Sequence, residues 1–234
     1  MKRIIFAFAF LSVLIYSCTA KKEGNMVVDV AINGLKKGTV YLQKIENDSL
    51  VSIDSVKLQN KGEFQLASNI ESPQVFFITL KEAPDEKIQF FGDYGTIKIT
   101  SKLDRFATSA KVSGSKTQDI LYKYDTIMDS FNNKRLQYIK NNFEAEKAKD
   151  TAKVNKLSKD YDNLVLRKYK YTLNFVFKHK DSDVAPYLTL TELYDAQTVW
   201  LDSIYKSLKP EVQQSLYGKK LDSYIEKIKA EEAK

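Results

Sequence analysis

IKITSKLDRFATSAKVSGSKTQDILYKYDTIMDSF, residues 97–131, contains the change of period on which the fold turns. Ile97 and Ile99 alternate with Lys98 and Thr100, the two-residue repeat of a strand with one face on a core. After Lys111-Val112-Ser113-Gly114-Ser115 the repeat lengthens: Ile120, Tyr124, Ile127 and Phe131 recur at three- and four-residue spacing, the signature of an amphipathic helix. The boundary near residue 112 predicts an α+β chain. Its first part is an antiparallel β-sandwich or barrel-like domain over residues 26–112. Its second is an all-helical region over 115–234 that contains a long helical hairpin.

Upstream of the boundary, short alternating runs are separated by turn residues. Val28, Val30 and Ile32 alternate with polar positions and stop at Gly34, and Lys36-Lys37-Gly38 reads as a turn. Val40 and Leu42 lead the next run, which ends at Glu46-Asn47-Asp48-Ser49, and Val51 and Ile53 lead the one after that. Asn60-Lys61-Gly62 carries a hairpin signal, with Gly62 expected at positive φ. Val75-Phe76-Phe77-Ile78 is too apolar to leave one face in water, and Ala83-Pro84-Asp85 reads as the turn that follows it. Seven or eight such strands point to a sandwich or barrel. A Rossmann-type layout is disfavoured because no helix interrupts them, and no glycine-rich phosphate loop is present.

Downstream, Leu136, Ile139 and Phe143 extend the stripe of the first helix. Asp150-Thr151 caps a second helix, expected over Thr151–Lys178 with Val154, Leu157, Tyr161, Leu164 and Val165 on one face. A helix of 28 residues is about 42 Å long and needs a partner along its length, supplied by folding the first helix back on it. Pro186 suits the first turn of a short helix, Lys209-Pro210-Glu211 starts another, and Leu221, Tyr224, Ile225 and Ile228 form the stripe of a last one.

The beginning of the chain reads as a targeting segment. Lys2 and Arg3 precede an apolar run, Ile4 to Tyr16, that is shorter than the roughly 20 residues of a spanning helix but fits an export signal. Ser17-Cys18 at its end resembles a bacterial lipobox, so residues 1–17 are expected to be a lipoprotein signal peptide. Cys18 would then be the acylated, palmitate-bearing residue and 18–25 a lipidated tether to the bilayer. The expected location is the cell envelope, lipid-anchored at the outer membrane and facing the periplasm, with exposure at the cell surface left open. Without Lys2 and Arg3 the formal charge drops from +7 to +5 and is carried by dispersed lysine, which argues against a nucleic-acid partner. Cys18 is the sole cysteine among the 234 residues, so neither a disulfide within the chain nor thiol catalysis is available to it.

No residue set nominates chemistry. His179, the sole histidine, has no histidine or cysteine companion for zinc and reads as a helix-end residue. Asp181 and Asp183 lack the rest of a calcium loop. Asp54-Ser55 has no histidine near it in sequence. No catalytic residue, cofactor or metal is therefore expected. The chain is rich in tyrosine, whose ring and hydroxyl serve both contact and hydrogen bonding. Tyr124, Tyr161, Tyr187, Tyr194 and Trp200 are the candidates for a ligand groove.

NGLKKGTVYLQKI at 33–45, Asp54-Ser55 and NKGEF at 60–64 resemble the uncharacterised β-domain that begins many Bacteroidota lipoproteins of the thiol:disulfide interchange type. His179-Lys180-Asp181-Ser182, Ala185-Pro186-Tyr187-Leu188 and Leu208-Lys209-Pro210-Glu211-Val212-Gln213 resemble the helical region that follows it in that family. The likeness spans roughly 26–222. In the family a thioredoxin-like module supplies a tryptophan-cysteine-x-x-cysteine site, whereas no cysteine follows Cys18 here and Trp200 has none beside it. The resemblance thus implies the anchored accessory portion without the redox site: a non-catalytic binding or assembly module with a possible envelope protein partner. The alternatives are an accessory of an envelope thiol-disulfide system working with a separate thioredoxin-like partner, and a lipoprotein that captures glycan or peptide.

Overall fold

The structure, a computed structural model, describes residues 22–233. The expected signal segment and Cys18 lie outside the described residues. Eight strands precede six helices: β1 Met26–Asn33, β2 Gly38–Glu46, β3 Ser49–Leu58, β4 Glu63–Ser68, β5 Gln74–Leu80, β6 Ala83–Gly92, β7 Gly95–Lys102 and β8 Lys111–Ser113, then α1 Lys116–Lys147, α2 Thr151–Lys178, α3 Val184–Glu192, α4 Thr198–Ser207, α5 Pro210–Gln213 and α6 Leu216–Glu232. The α+β class and its order, sandwich first and helices second, stand as the sequence predicts.

The strands form two four-stranded sheets, β4-β1-β7-β8 and β3-β2-β5-β6. Pairing is antiparallel except between β1 and β7, which run parallel with Val28 beside Ile97 and Val30 beside Ile99. The alternating residues face inward as patterned: Val28, Val30 and Ile32 of β1 meet Val40 and Leu42 of β2, Phe76 and Ile78 of β5, and Ile88 and Phe90 of β6 in one core. Phe76 and Phe90 stack with centroids 6.0 Å apart at its centre.

Asn47 and Asp48 are a true two-residue hairpin turn, both with positive φ (47° and 60°), and they join β2 to β3. Two other expected hairpins are something else. Gly34–Lys37 and Gln59–Gly62 connect strands of different sheets and so form corners of the sandwich. Gly62 does not take positive φ. Glycine is needed there because a Cβ would overlap the carbonyl oxygens of Ile32 and Leu35, where the Ile32 N–H donates to the Gly62 carbonyl at 2.8 Å. The turn after β5 is Lys81-Glu82, two residues before the expected Ala83-Pro84-Asp85, and Pro84 sits in the irregular start of β6 where no ladder donor is required of it.

Ser115 caps α1 by accepting from the Gln118 N–H at 3.0 Å, and Asp150 caps α2 by accepting from the Lys153 N–H at 3.0 Å. Lys149 takes φ 54° and reverses the chain between them without glycine or proline. The hairpin seam follows a heptad spacing: Leu121, Tyr124, Met128, Phe131, Arg135, Tyr138, Asn142 and Ala145 on α1 face Val154, Leu157, Tyr161, Leu164, Lys168, Tyr171 and Phe175 on α2. Tyr138 stacks on Tyr161 at 4.4 Å, and Phe131 meets Tyr171 at 6.3 Å. The expected continuation of the α1 stripe is corrected by this seam. Leu136, Ile139 and Phe143 are 60%, 51% and 66% exposed, because polar and small residues fill the seam opposite them.

The base of the hairpin joins α3–α6 in a second core that includes Leu188, Leu193, Leu201, Ile204, Leu221 and Ile225. Val75 of β5 and Phe91 of β6 belong to this core, not to the sandwich core. The unusually apolar run Val75–Ile78 is thereby explained: Phe76 and Ile78 face into the sandwich while Val75 and Phe77 face the helices. Hydrogen bonds fasten the contact. The Phe91 N–H donates to Gln118 Oε1 at 2.7 Å, the Val75 N–H to the Tyr217 hydroxyl at 3.1 Å, and the Leu216 N–H to Ser72 Oγ at 3.0 Å.

Candidate functional site

A cleft of about 600 Å³ opens where the outer face of the β2-β5-β6 sheet meets α3 and α6. Ile45, Val75, Phe77, Gln74 and Gln89 form its sheet wall, and Tyr187, Leu190, Leu216, Tyr217, Lys220, Tyr224 and Lys227 its helical wall. Each wall follows from the local pattern. β5 turns every second side chain outward, and α6 places residues 217, 220, 224 and 227 on one flank at three- and four-residue spacing. Gly218 allows the α5–α6 corner to close, since a Cβ there would overlap the Val212 carbonyl and stand 2.5 Å from that of Gln213.

The floor is aromatic. Phe91, Tyr187 and Tyr217 meet edge to face, with centroids 5.3 Å (Phe91–Tyr187), 5.8 Å (Phe91–Tyr217) and 5.2 Å (Tyr187–Tyr217) apart. The Tyr187 hydroxyl accepts from Gln89 Nε2 at 3.3 Å. Burial pushes both tyrosine hydroxyls to higher pKa; hydrogen bonds from Gln89 to Tyr187 and from Val75 to Tyr217 offset part of the rise. Both rings therefore stay neutral at physiological pH. Lys220 Nζ stands 6.0 Å from the Tyr217 ring centroid, and Lys227 lies two turns further along α6. The lining combines flat apolar rings, two amide side chains and two ammonium groups, with no aspartate, glutamate, histidine or cysteine in it. Such a surface can stack, donate hydrogen bonds and attract negative charge. It holds no carboxylate pair for acid–base exchange.

Of the five aromatic candidates, Tyr187 alone lines this cleft. Tyr124 is buried in the helical core, where its hydroxyl bonds Thr172 Oγ1 at 2.8 Å. Tyr161 lies on the hairpin against Tyr138, and Tyr194 and Trp200 are exposed outside the cleft lining, the Tyr194 carbonyl accepting from the Tyr224 hydroxyl at 2.7 Å. They share no groove because helical core, seam and surface draw on the same residue type. The residues that sequence reasoning passed over are Phe77, Tyr217, Lys220 and Lys227. For the last three the signal is a second flank on α6, beside the Leu221–Ile225 stripe that faces the core, and for Phe77 it is the outward position in the doubly apolar run of β5.

The other positions weighed in the sequence are also placed. Asp54 binds Lys22 Nζ at 2.6 Å and accepts from the Ala67 N–H at 3.0 Å, a strand-to-strand tie. His179 ends α2, packed on Phe175 at 4.3 Å, and burial together with Lys178 lowers its pKa. Asp181 pairs with Lys209 at 3.8 Å. Asp183 is buried, one carboxyl oxygen has no partner among the described residues, and desolvation raises its pKa. Among the described residues no group of three or more histidine, cysteine, aspartate and glutamate side chains is placed to hold a metal ion, and no helix is long and apolar enough to cross a membrane.

No curated protein and no solved structure is similar to the chain by sequence or fold comparison. A family model does match residues 26–121, a span that takes in the whole sandwich and also Gln118 and Leu121, the first residues of α1 to grip its outer face. Residues 26–121 match the model of the family described as "Domain of unknown function (DUF4369)".

Proposed function

We propose that this chain is a non-catalytic binding module of the bacterial cell envelope, anchored by acylated Cys18, whose cleft between the DUF4369 sandwich and the helical region captures a ligand. The anchor rests on the export signal and lipobox-like Ser17-Cys18, and on the likeness to Bacteroidota thiol:disulfide interchange lipoproteins. The observation that carries the binding role is the lining itself. Tyr187, Tyr217 and Phe77 offer stacking surface while Gln89, Lys220 and Lys227 offer hydrogen-bond donors, and no carboxylate, histidine or cysteine stands among them. That combination suits a glycan or a short peptide bearing a carboxylate, which stacks a flat face on tyrosine and places its negative charge near the lysines.

The test is isothermal titration of cell-wall muropeptides and neutral oligosaccharides into wild type, Tyr187→Ala and Lys220→Ala. Binding of an acidic muropeptide that weakens about tenfold in each variant is the expected result. Ligand consumption with product release, or affinities unchanged in both variants, refutes the reading. In parallel, Cys18→Ser leaves the membrane fraction and wild type carries the acyl mass; a wild type without that mass refutes the anchor.

A further inference from the structure

The outer half of the α1–α2 hairpin is unlike the rest of the surface. Between residues 132 and 163 only Ala145 is buried, so the two helices project as an arm. Each contributes about 16 residues to it, which is about 24 Å of reach. Residues 132–163 carry eight lysines and arginines against five acids, a net +3. Among the described residues none of those eight cations forms an ion pair. The same arm exposes Leu136, Ile139 and Phe143. At about 100° per residue these three fall within about 60° of arc on α1, with Arg135 on one side and Lys140 on the other.

We propose that this face of the arm is a contact site for an anionic bilayer surface. Apolar side chains on one strip of a helix, bounded by long basic side chains, match an interface whose interior is hydrocarbon and whose headgroups are negative. The lysine and arginine stems can lie along the apolar strip while their charged ends reach phosphate. A second copy of the chain fits less well, since a symmetric contact through this strip would bring two positively charged arms together. An acidic polypeptide fits less well too. The shallow hollow on the arm, lined by Lys134, Gln137, Tyr138 and Arg167 among others, opens on the opposite flank of the seam and does not extend the strip. The site is separate from the interdomain cleft and does not depend on the acyl anchor.

The test uses the chain from Thr19, which keeps both hydrophobic cores whole and lacks the acyl group, in co-sedimentation with vesicles of phosphatidylglycerol or of phosphatidylcholine. Expected is partition onto phosphatidylglycerol that falls steeply with salt and is negligible on phosphatidylcholine. Leu136→Ser/Ile139→Ser/Phe143→Ser and Lys140→Glu/Lys147→Glu each weaken it about tenfold or more without changing the thermal midpoint. Equal partition onto both lipids, or partition that ignores both variants, overturns the proposal. So does a dimer in sedimentation velocity that the triple serine variant dissolves, or equal binding of polyglutamate through the same residues.

Discussion

Gln118 offers the sharpest probe of how the two halves of the molecule are joined. Phe91 lies in β6 at the edge of its sheet, so its N–H has no strand partner on that side and points at α1. Gln118 is 3% exposed and Phe91 0%, and the bond between them is 2.7 Å. Replacing Gln118 by leucine keeps most of the volume but strands a buried backbone donor where water does not reach it. The cost of an unsatisfied buried group is about 1–3 kcal/mol. For a chain of this size 1 kcal/mol moves the thermal midpoint by roughly 2–4 °C, so a loss of about 2 kcal/mol lowers it by about 4–8 °C. The same substitution at exposed Gln137 changes stability by less than about 0.5 kcal/mol and serves as the control. Differential scanning calorimetry measures the shift, and amide exchange at Phe91 should accelerate in the variant. A Gln118→Leu midpoint within 1 °C of the control, on the order of a quarter kcal/mol, refutes the assignment of this bond as a fastening between sandwich and helices.

Two further predictions follow from single sites. The Asp125 carboxyl is pushed up to about 6, first by desolvation and then by the negative charges of Asp129 and Glu192, the latter held by Lys168 at 2.8 Å. The folded chain then holds the Asp125 proton to higher pH than the unfolded chain, and the stability this contributes near pH 4 is lost as pH rises through 6. Asp125→Asn should therefore raise the thermal midpoint relative to wild type at pH 7.5 and lose that advantage by pH 4; an advantage that is constant with pH rules the shift out. Gly62→Ala, although φ there suits alanine, forces the Ile32 and Leu35 carbonyls apart and should cost about 3 kcal/mol in urea unfolding. A loss below about 0.5 kcal/mol would show that the corner has room to move.

Local pattern made much of this fold readable, and the places where it failed share a cause. Alternation located Val28, Val30 and Ile32 on the inner face, and the Asp150 cap located the start of α2, because each is decided within a few residues of itself. Gly34–Lys37 and Gln59–Gly62 use the turn chemistry of hairpins, yet they lead from one sheet to the other, and only long-range pairing distinguishes the two outcomes. The parallel pairing of β1 with β7 joins segments some seventy residues apart and leaves no local trace. Leu136, Ile139 and Phe143 read as core because apolar spacing was taken to face a partner, whereas the heptad through Arg135, Tyr138, Asn142 and Ala145 wins the seam. The cleft was legible only through Tyr187. Its other residues come from the outer face of the sheet, from α3 and from the second flank of α6, and only long-range packing brings these together.

The heptad seam of the hairpin has a consequence for how such a protein can vary. One turn-bearing end, at Lys149, is free, and the other is rooted between α3 and β6. Deleting or inserting seven residues in each helix leaves every seam residue opposite a seam residue and leaves the rooted end untouched. Each such step changes the arm by about 10.5 Å. Reach is therefore adjustable in discrete increments, independently of the cleft and of the sandwich beneath it.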